Sequence, residues 1–251
     1  MLAVETTSIG IHPAPHVSLL DGPSVTQGGL RIAVPEGSKR LVAFLALHSG
    51  PVDRMFVACS LWPDGSDERA SGNLRTALWR LRGAGITVVE SEAHSVRLSE
   101  DAVVDVAVLC AWADRVILGS SSPPDLAVPP QLVTAVDLLP GWYEDWVAFE
   151  REAIRQRMLH ALESLAAGLA GYGRPADAIE AAMAAVRIEP LRESAHRTLA
   201  SVHLEEGNVF EAVRVFRDYR GRVRRELGAE PSARFADLLR PHVAGRVLAA
   251  N

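Results

Sequence analysis

The chain has 251 residues, 48% of them hydrophobic and 23% charged, which is enough for two ordinary domains with cores of their own. Its net charge of −5 does not by itself suggest a nucleic-acid partner, because basic domains are the usual electrostatic footprint of such proteins. Residues 1–11 lack the features of a signal peptide, and no apolar run is long enough to span a membrane. These features predict a cytoplasmic globular protein.

The reactive side chains do not form a recognisable catalytic motif. Cys59 and Cys110 lie in apolar helical patterns typical of buried reduced thiols, and two cysteines exclude a disulfide framework. His196 and His203 are two turns apart on a predicted helix, where helical packing explains both residues and half of a metal site is the alternative. No metal-protease, paired-cysteine or phosphate-loop motif is present. We expect no enzymatic activity, no cofactor and no metal.

The first half of the chain predicts strands, three helices and a terminal hairpin. Residues 17–34 alternate in short apolar pieces broken by glycine turns, which is typical of two or three short strands. Helical periodicity begins at Ser38, and Asp53 is a candidate N-cap for a second, short helix. A third helix is predicted over 67–82, followed by two β-prone pieces at 86–90 and 95–98. This order of elements predicts a winged helix-turn-helix.

The third helix is amphipathic, with an apolar stripe and a polar, arginine-bearing remainder. Leu74, Ala77, Leu78 and Leu81 share one face. The other sides carry residue types that bond base edges or phosphates in a major groove, namely Asn73, Arg75, Thr76, Arg80 and Arg82. Trp79 lies at the border, beside the wing or against a sugar-phosphate backbone. The alternative interpretation is a surface helix whose arginines are solvated.

Three basic residues outside this helix complete the predicted DNA-binding set. Lys39 and Arg40 begin the first helix, and Arg97 lies in the second strand of the hairpin, so all three are candidate phosphate contacts. Residues 38–97 hold eight basic and six acidic side chains, a net charge of only +2. Non-specific affinity for DNA is therefore expected to be weak.

The second half contains an internal repeat. Residues 173–179 recur as 207–213, an offset of 34 residues, and Leu165-Ala166 recurs as Leu199-Ala200 with the same offset. A period of 34 with a glycine turn between two helices is typical of tetratricopeptide repeats, in which a small alanine lets paired helices approach closely. The alternative is chance similarity of two helical hairpins in alanine-rich sequence. The predicted fold is mainly α with a small β component, a winged helix-turn-helix over 17–105 followed by an all-α tetratricopeptide-like domain over 106–251.

The last long helix of the repeats carries a second group of arginines. Apolar Val213, Phe216 and Val223 anchor one side and leave Arg217, Arg220 and Arg224 on a common outer face. This face is either a solvated surface with local acidic partners such as Asp218, or a basic surface that contacts promoter DNA or an acidic partner protein.

Several motifs in both halves resemble one bacterial family. Leu61–Asp64 with Asn73–Arg82 resembles the OmpR-like DNA-binding region of the SARP (antibiotic regulatory protein) activators. The second half resembles the bacterial transcriptional activator domain of the same family, through the segments 138–146, 149–152, 189–196, 206–208 and 226–232. The resemblance covers about residues 17–239.

The resemblance implies a function and a set of partners. Members of the family bind direct repeats near the −35 region of promoters, usually as dimers, and many control secondary metabolism. It therefore implies a transcriptional activator whose third helix enters the major groove and whose helical half supports dimerisation or contacts RNA polymerase and its sigma factor. A nucleoid-associated protein of the cytoplasm is expected, with no receiver domain before residue 17 and no appended domain after residue 251.

The predicted wing departs from the family pattern. Residues 90–97 lack the glycine-tyrosine-arginine pattern common there and contain two acids, which weakens the expectation of minor-groove contact. An alternative interpretation is a helical-repeat interaction scaffold or effector sensor, in which the winged helix is only a structural module. The net acidity favours the scaffold, and the arginine-bearing helix favours the activator.

Overall fold

The computed structural model describes residues 14–133 and 137–243, which separate into two compact units. Of these residues, the winged-helix unit contains 14–108 and 137–143, and the helical unit contains 109–133 and 144–243. The segment 137–143, which the sequence analysis placed in the second domain, thus packs with the first. Within the described residues, no helix is long and apolar enough to cross a membrane.

The winged-helix unit contains the predicted strands and helices, and two short strands besides. In chain order these are β1 (His16–Ser18), β2 (Ser24–Gln27), β3 (Leu30–Ile32), α1 (Glu36–Leu47), β4 (Val52–Asp53), α2 (Arg54–Leu61), α3 (Asp67–Gly83), β5 (Val89–Ser91), β6 (Ser95–Leu98) and β7 (Val103–Val104). The strands form two sheets, in the orders β3-β2-β1-β7 and β4-β6-β5.

Turn chemistry and one carboxylate fix the first sheet. Gly28 and Gly29 both have positive φ, which is the backbone of a two-residue hairpin turn between β2 and β3. The two-residue strand β7 pairs in parallel with β1, and the carboxylate of Asp105, directly after it, accepts hydrogen bonds from the backbone N–H of Leu19 and Leu20. The N-terminal strands are thereby tied to the end of the unit.

The second sheet is the wing. β5 and β6 form an antiparallel hairpin, and β4 adds to it through the pair Val52–Val96. The strand predicted at 86–90 begins only at Val89 in the structure. Ile86 and Val88 precede it and are buried in the core. The apolar alternation that suggested a longer strand therefore reflects core packing.

The remaining helices follow in chain order. These are α4 (Asp105–Ile117), α5 (Pro130–Val133), α6 (Asp145–Gly171), α7 (Pro175–Ile188), α8 (Glu193–Glu205), α9 (Val209–Leu227) and α10 (Ala233–Leu239), with short 3₁₀ helices at Pro123–Leu126 and Arg240–His242. From α6 to α9 each helix packs against the next. The predicted all-α domain over 106–251 is interrupted at residues 137–144, where a turn places Leu138 and Leu139 in the core of the winged-helix unit.

The 34-residue repeat corresponds to two helical hairpins, α6–α7 and α8–α9. Gly173 and Gly207 occupy the equivalent turns with φ of 70° and 76°, a left-handed conformation that favours glycine. Ala178 and Ala212 are fully buried, as an alanine at a close helix crossing must be. Leu165, Ala166, Leu199 and Ala200 are buried as well, so the residues that keep the period are those that pack the hairpins.

Candidate nucleic-acid interface

Two features hold α3 in place, namely the N-cap at its first turn and the packing of its buried side. Ser66 caps the helix by accepting a hydrogen bond from the N–H of Arg69, and Asp53 caps the preceding α2 in the same way at Phe56. The apolar stripe is buried as predicted, and Ala70 extends it by one turn. The buried hydroxyl of Ser38 in α1 donates to the carbonyl of Ala77 at 2.9 Å. The outer side of α3 is therefore held in a defined orientation within its unit.

Opposite the buried stripe runs a line of residues that we call the outer ridge. With about 3.6 residues per turn, the positions that lie farthest from the core are Gly72, Thr76, Trp79 and Gly83. Trp79 is 73% exposed. The hydroxyl of Thr76 donates to the carbonyl of Gly72 at 2.9 Å, so the donor hydrogen of this side chain is already used within the helix. The ridge is thus uncharged, with small residues around one large aromatic ring.

The arginines of α3 lie along the two edges of the ridge. Arg75 and Arg82 are exposed on one edge; Arg80 is exposed on the other, where Asn73 is half-buried. The guanidinium of Arg80 rests on the first turn of α1, where a Cβ at Gly37 would collide with it. Both acids of α3, Asp67 and Glu68, are confined to its first turn. Beyond that turn the helix carries only positive charge.

Among the predicted phosphate contacts outside α3, Lys39 and Arg97 have acidic partners. Lys39 forms an ion pair of 2.6 Å with Glu36, and the side chain of Arg40, next along α1, is exposed. In the wing, Arg97 binds Glu90 at 2.9 Å and Glu100 at 2.8 Å, and these hydrogen bonds raise the pKa of its guanidinium above the ordinary value. A phosphate at Arg97 would have to displace one of these carboxylates.

The arginine face of α9 is also partly neutralised. Arg220 and Arg224 both bind the carboxylate of Glu230, whose pKa they lower, while Arg217 is exposed. Glu230, a residue of the following loop, is thus an acidic partner of this face that the sequence analysis did not name. The same loop is held at Ser232, whose N–H and hydroxyl donate to Glu193. These contacts give the segment 226–232 a structural role.

His196 and the two cysteines are explained by packing within the helices. The Nε2 atom of His196 lies 3.0 Å from the carbonyl oxygen of Pro190, and its ring packs against Tyr219; burial lowers its pKa. Among the described residues no group of three or more potential ligands is arranged to hold a metal ion. Cys59 and Cys110 are free but only half-buried, which corrects the expectation of buried thiols.

Two residues of α3 that the sequence analysis did not select lie on the side of the helix opposite the buried stripe. Gly72 lies on the outer ridge, and Arg69 is exposed in the first turn beside it. The sequence does contain a signal for Gly72, because a glycine inside a helix lowers its stability and calls for a reason. The position of Gly72 on the outer ridge is known only once the structure shows which face of the helix is buried.

The two units together define a protein with a winged helix-turn-helix and a tetratricopeptide-like helical domain, which confirms the predicted fold class. Residues 132–240 match the family described as "Bacterial transcriptional activator domain". The second half of the chain is therefore similar to this domain, as its resemblance to the SARP family predicted. Comparison with curated proteins gives no match.

The fold also matches a solved structure, that of Mycobacterium tuberculosis EmbR in complex with a low affinity phosphopeptide. The TM-score is 0.63 at 19% sequence identity, and the match covers 90% of this chain. It covers 64% of the EmbR chain, so the present chain spans less than two thirds of that protein. At this level of identity the match establishes a common fold.

Proposed function

We propose that the protein is a sequence-specific, DNA-binding transcriptional activator. In this proposal α3 enters the major groove of double-stranded promoter DNA, and two chains bind as a homodimer on a direct repeat. The helical unit then recruits RNA polymerase, through the polymerase core or its sigma factor. Control of a secondary-metabolite cluster is the corresponding biological role.

The observation that carries the proposal is the orientation of α3. Its apolar stripe is buried, its caps are satisfied, and its exposed side carries a ridge edged by Arg75, Arg80 and Arg82. A rigidly held helix with outward arginines after a short first helix is the geometry of groove-docking helix-turn-helix proteins. The bacterial transcriptional activator domain at 132–240 supports the second part of the proposal.

Selection of bound duplexes from a random pool tests the proposal directly. The full chain is expected to enrich a half-site, repeated in the same orientation at a spacing of about one helical turn, 10–11 base pairs. The double variant Arg75→Ala/Arg82→Ala should abolish enrichment. Arg187→Ala, which removes an exposed arginine from α7 in the helical unit, serves as the matched control and should select the same site.

Transcription in a purified system tests the second half of the proposal. A template that bears the selected repeat upstream of a weak −35 element should be transcribed more strongly when the protein is added, and the double variant should give no increase. Enrichment of no site at low salt would contradict DNA binding. The neutralised arginines of the wing and of α9 would then favour a helical-repeat scaffold or effector sensor with a structural winged helix.

A further inference from the structure

The outer ridge of α3 has a composition that packing within the protein does not explain. A Cβ at Gly72 would meet only the tip of Arg75, at 3.8 Å, and a Cβ at Gly83 would meet nothing within 4 Å. Alanine would fit at Gly72 and would favour the helix, yet the residue is glycine. Two helical turns further along the same ridge lies Trp79, whose large apolar ring is 73% exposed. Both features fit a surface that another molecule approaches closely.

We propose that this ridge reads thymine, through apolar contacts of Thr76 and Trp79 with the C5-methyl groups that thymines present in the major groove. The proposal rests on the proposed function and specifies which base the helix recognises. Thymine is the base that offers an apolar group in this groove, and a threonine methyl or an aromatic ring is the side-chain group that matches it.

The hydrogen bond within the helix supports this choice over a polar contact. Because the Thr76 hydroxyl donates to the Gly72 carbonyl, the hydrogen-bond donor that would read an acceptor on guanine is engaged, and the methyl group of Thr76 remains to make contact. The missing side chain at Gly72 lets the DNA come near enough for these short-range contacts.

The placement of charge assigns a different role to the arginines. Arg75 and Arg82 on one edge, and Arg80 on the other, flank the ridge rather than top it. A helix whose ridge lies against base edges has its two sides toward the two sugar-phosphate backbones, so these cations are suited to phosphates. In this arrangement the ridge determines which base sequence is bound, and the cations at its edges supply the electrostatic attraction to the phosphates.

Replacement of thymine by deoxyuridine tests the inference, because it removes only the C5-methyl group and preserves base pairing. The site comes from the selection experiment, and binding of the full chain is measured on duplexes in which each thymine is replaced in turn. At one or more positions we expect a loss of about fourfold for each methyl contact removed. Thr76→Ser removes the matching methyl from the protein and retains the hydroxyl, and Trp79→Ala removes the ring.

Each variant should abolish the preference for thymine over uracil at its own position, whereas Arg82→Ala should weaken binding to both duplexes equally. Specific binding that is indifferent to uracil at every position would overturn the inference and leave the proposed function intact. A preference for thymine that survives in both Thr76→Ser and Trp79→Ala would overturn it as well. Failure to select any site would instead refute the proposed function, on which the inference rests.

Discussion

Replacement of Gly72 by alanine should move stability and DNA binding in opposite directions. Alanine is more favourable than glycine inside a helix by about 1 kcal/mol, and the added Cβ makes only an ordinary contact with Arg75 at 3.8 Å. The free energy of unfolding should therefore rise by about 0.5–1 kcal/mol. If the ridge lies against DNA, the same methyl group overpacks that interface at a cost of about 1–3 kcal/mol.

Two measurements on the full chain separate these effects. Calorimetric unfolding should show a higher midpoint, and titration of the selected duplex should show an affinity lower by a factor of about 5 to 150, which is the same 1–3 kcal/mol expressed as binding. Gly168→Ala is the matched control, since Gly168 is an exposed helical glycine of α6 with open space at its Cβ. It should stabilise its own helix and leave DNA binding unchanged.

The result that would refute the reasoning is equally specific. A stabilised Gly72→Ala variant with unchanged affinity would show that the ridge does not approach DNA. A destabilised variant would show that the site is already filled and that the assigned helix face is wrong. The effect on binding and the effect on stability are thus tested in one protein.

Five further variants have defined outcomes. Arg80→Ala should weaken binding to cognate and scrambled duplexes alike and lower the salt slope by about one; a loss confined to the cognate duplex would reassign the residue to a base. Ala212→Leu should lower the free energy of unfolding by about 1–3 kcal/mol, because Ala212 is fully buried, and an unchanged urea midpoint would contradict this packing. Glu230→Gln removes the negative charge that Arg220 and Arg224 bind and should tighten promoter binding if the α9 face touches DNA. The triple variant Arg217→Ser/Arg220→Ser/Arg224→Ser should weaken binding. No change in binding or transcription for either variant would leave a merely solvated face. Asp125→Ala should destabilise the helical unit at pH 7, because Arg115 and Ser122 bind the Asp125 carboxylate and hold its pKa well below the usual range. This carboxylate loses its stabilising contribution as the pH falls below about 4, so the effect of the substitution should fade in acid. Equal destabilisation at pH 7 and pH 3 would argue against this role.

The helices and the repeat were predictable because each rests on local or periodic signals. Asp53 caps α2 as expected, and the glycines at 173 and 207 mark the turns that the 34-residue offset indicated. The short strands β4 and β7 were not predictable. Each has two residues and exists only because a distant strand, β6 or β1, offers a pairing partner. The return of residues 137–143 to the first unit depends in the same way on contacts distant in sequence, such as the hydrogen bond from Leu139 N–H to the carbonyl of Leu19.

The candidate site was predictable in its residues more than in its arrangement. Periodicity separates the polar from the apolar positions of α3, but it treats Arg75, Thr76 and Arg80 alike as outward residues. Only the buried stripe, with Ala70 included, shows that Thr76 lies on the ridge and the arginines at its edges. The pairing of Arg224 with Glu230 and of Arg97 with Glu100 depends on side-chain geometry that composition does not contain.

The distribution of charge decides how such a protein would find its site. Arg97 in the wing and Arg220 and Arg224 in α9 already have carboxylate partners, so each phosphate that they bind must replace an existing ion pair. If the protein binds DNA as proposed, the counterion release contributed by these residues is small, and the non-specific affinity that depends on it is expected to be low. Arg75, Arg80 and Arg82 at the edges of α3 would then supply electrostatic attraction to phosphates. Discrimination then depends on short-range contacts at the ridge, which form only when the helix is seated on the correct bases, and a second chain on the neighbouring repeat would supply the affinity that one weakly charged winged helix lacks.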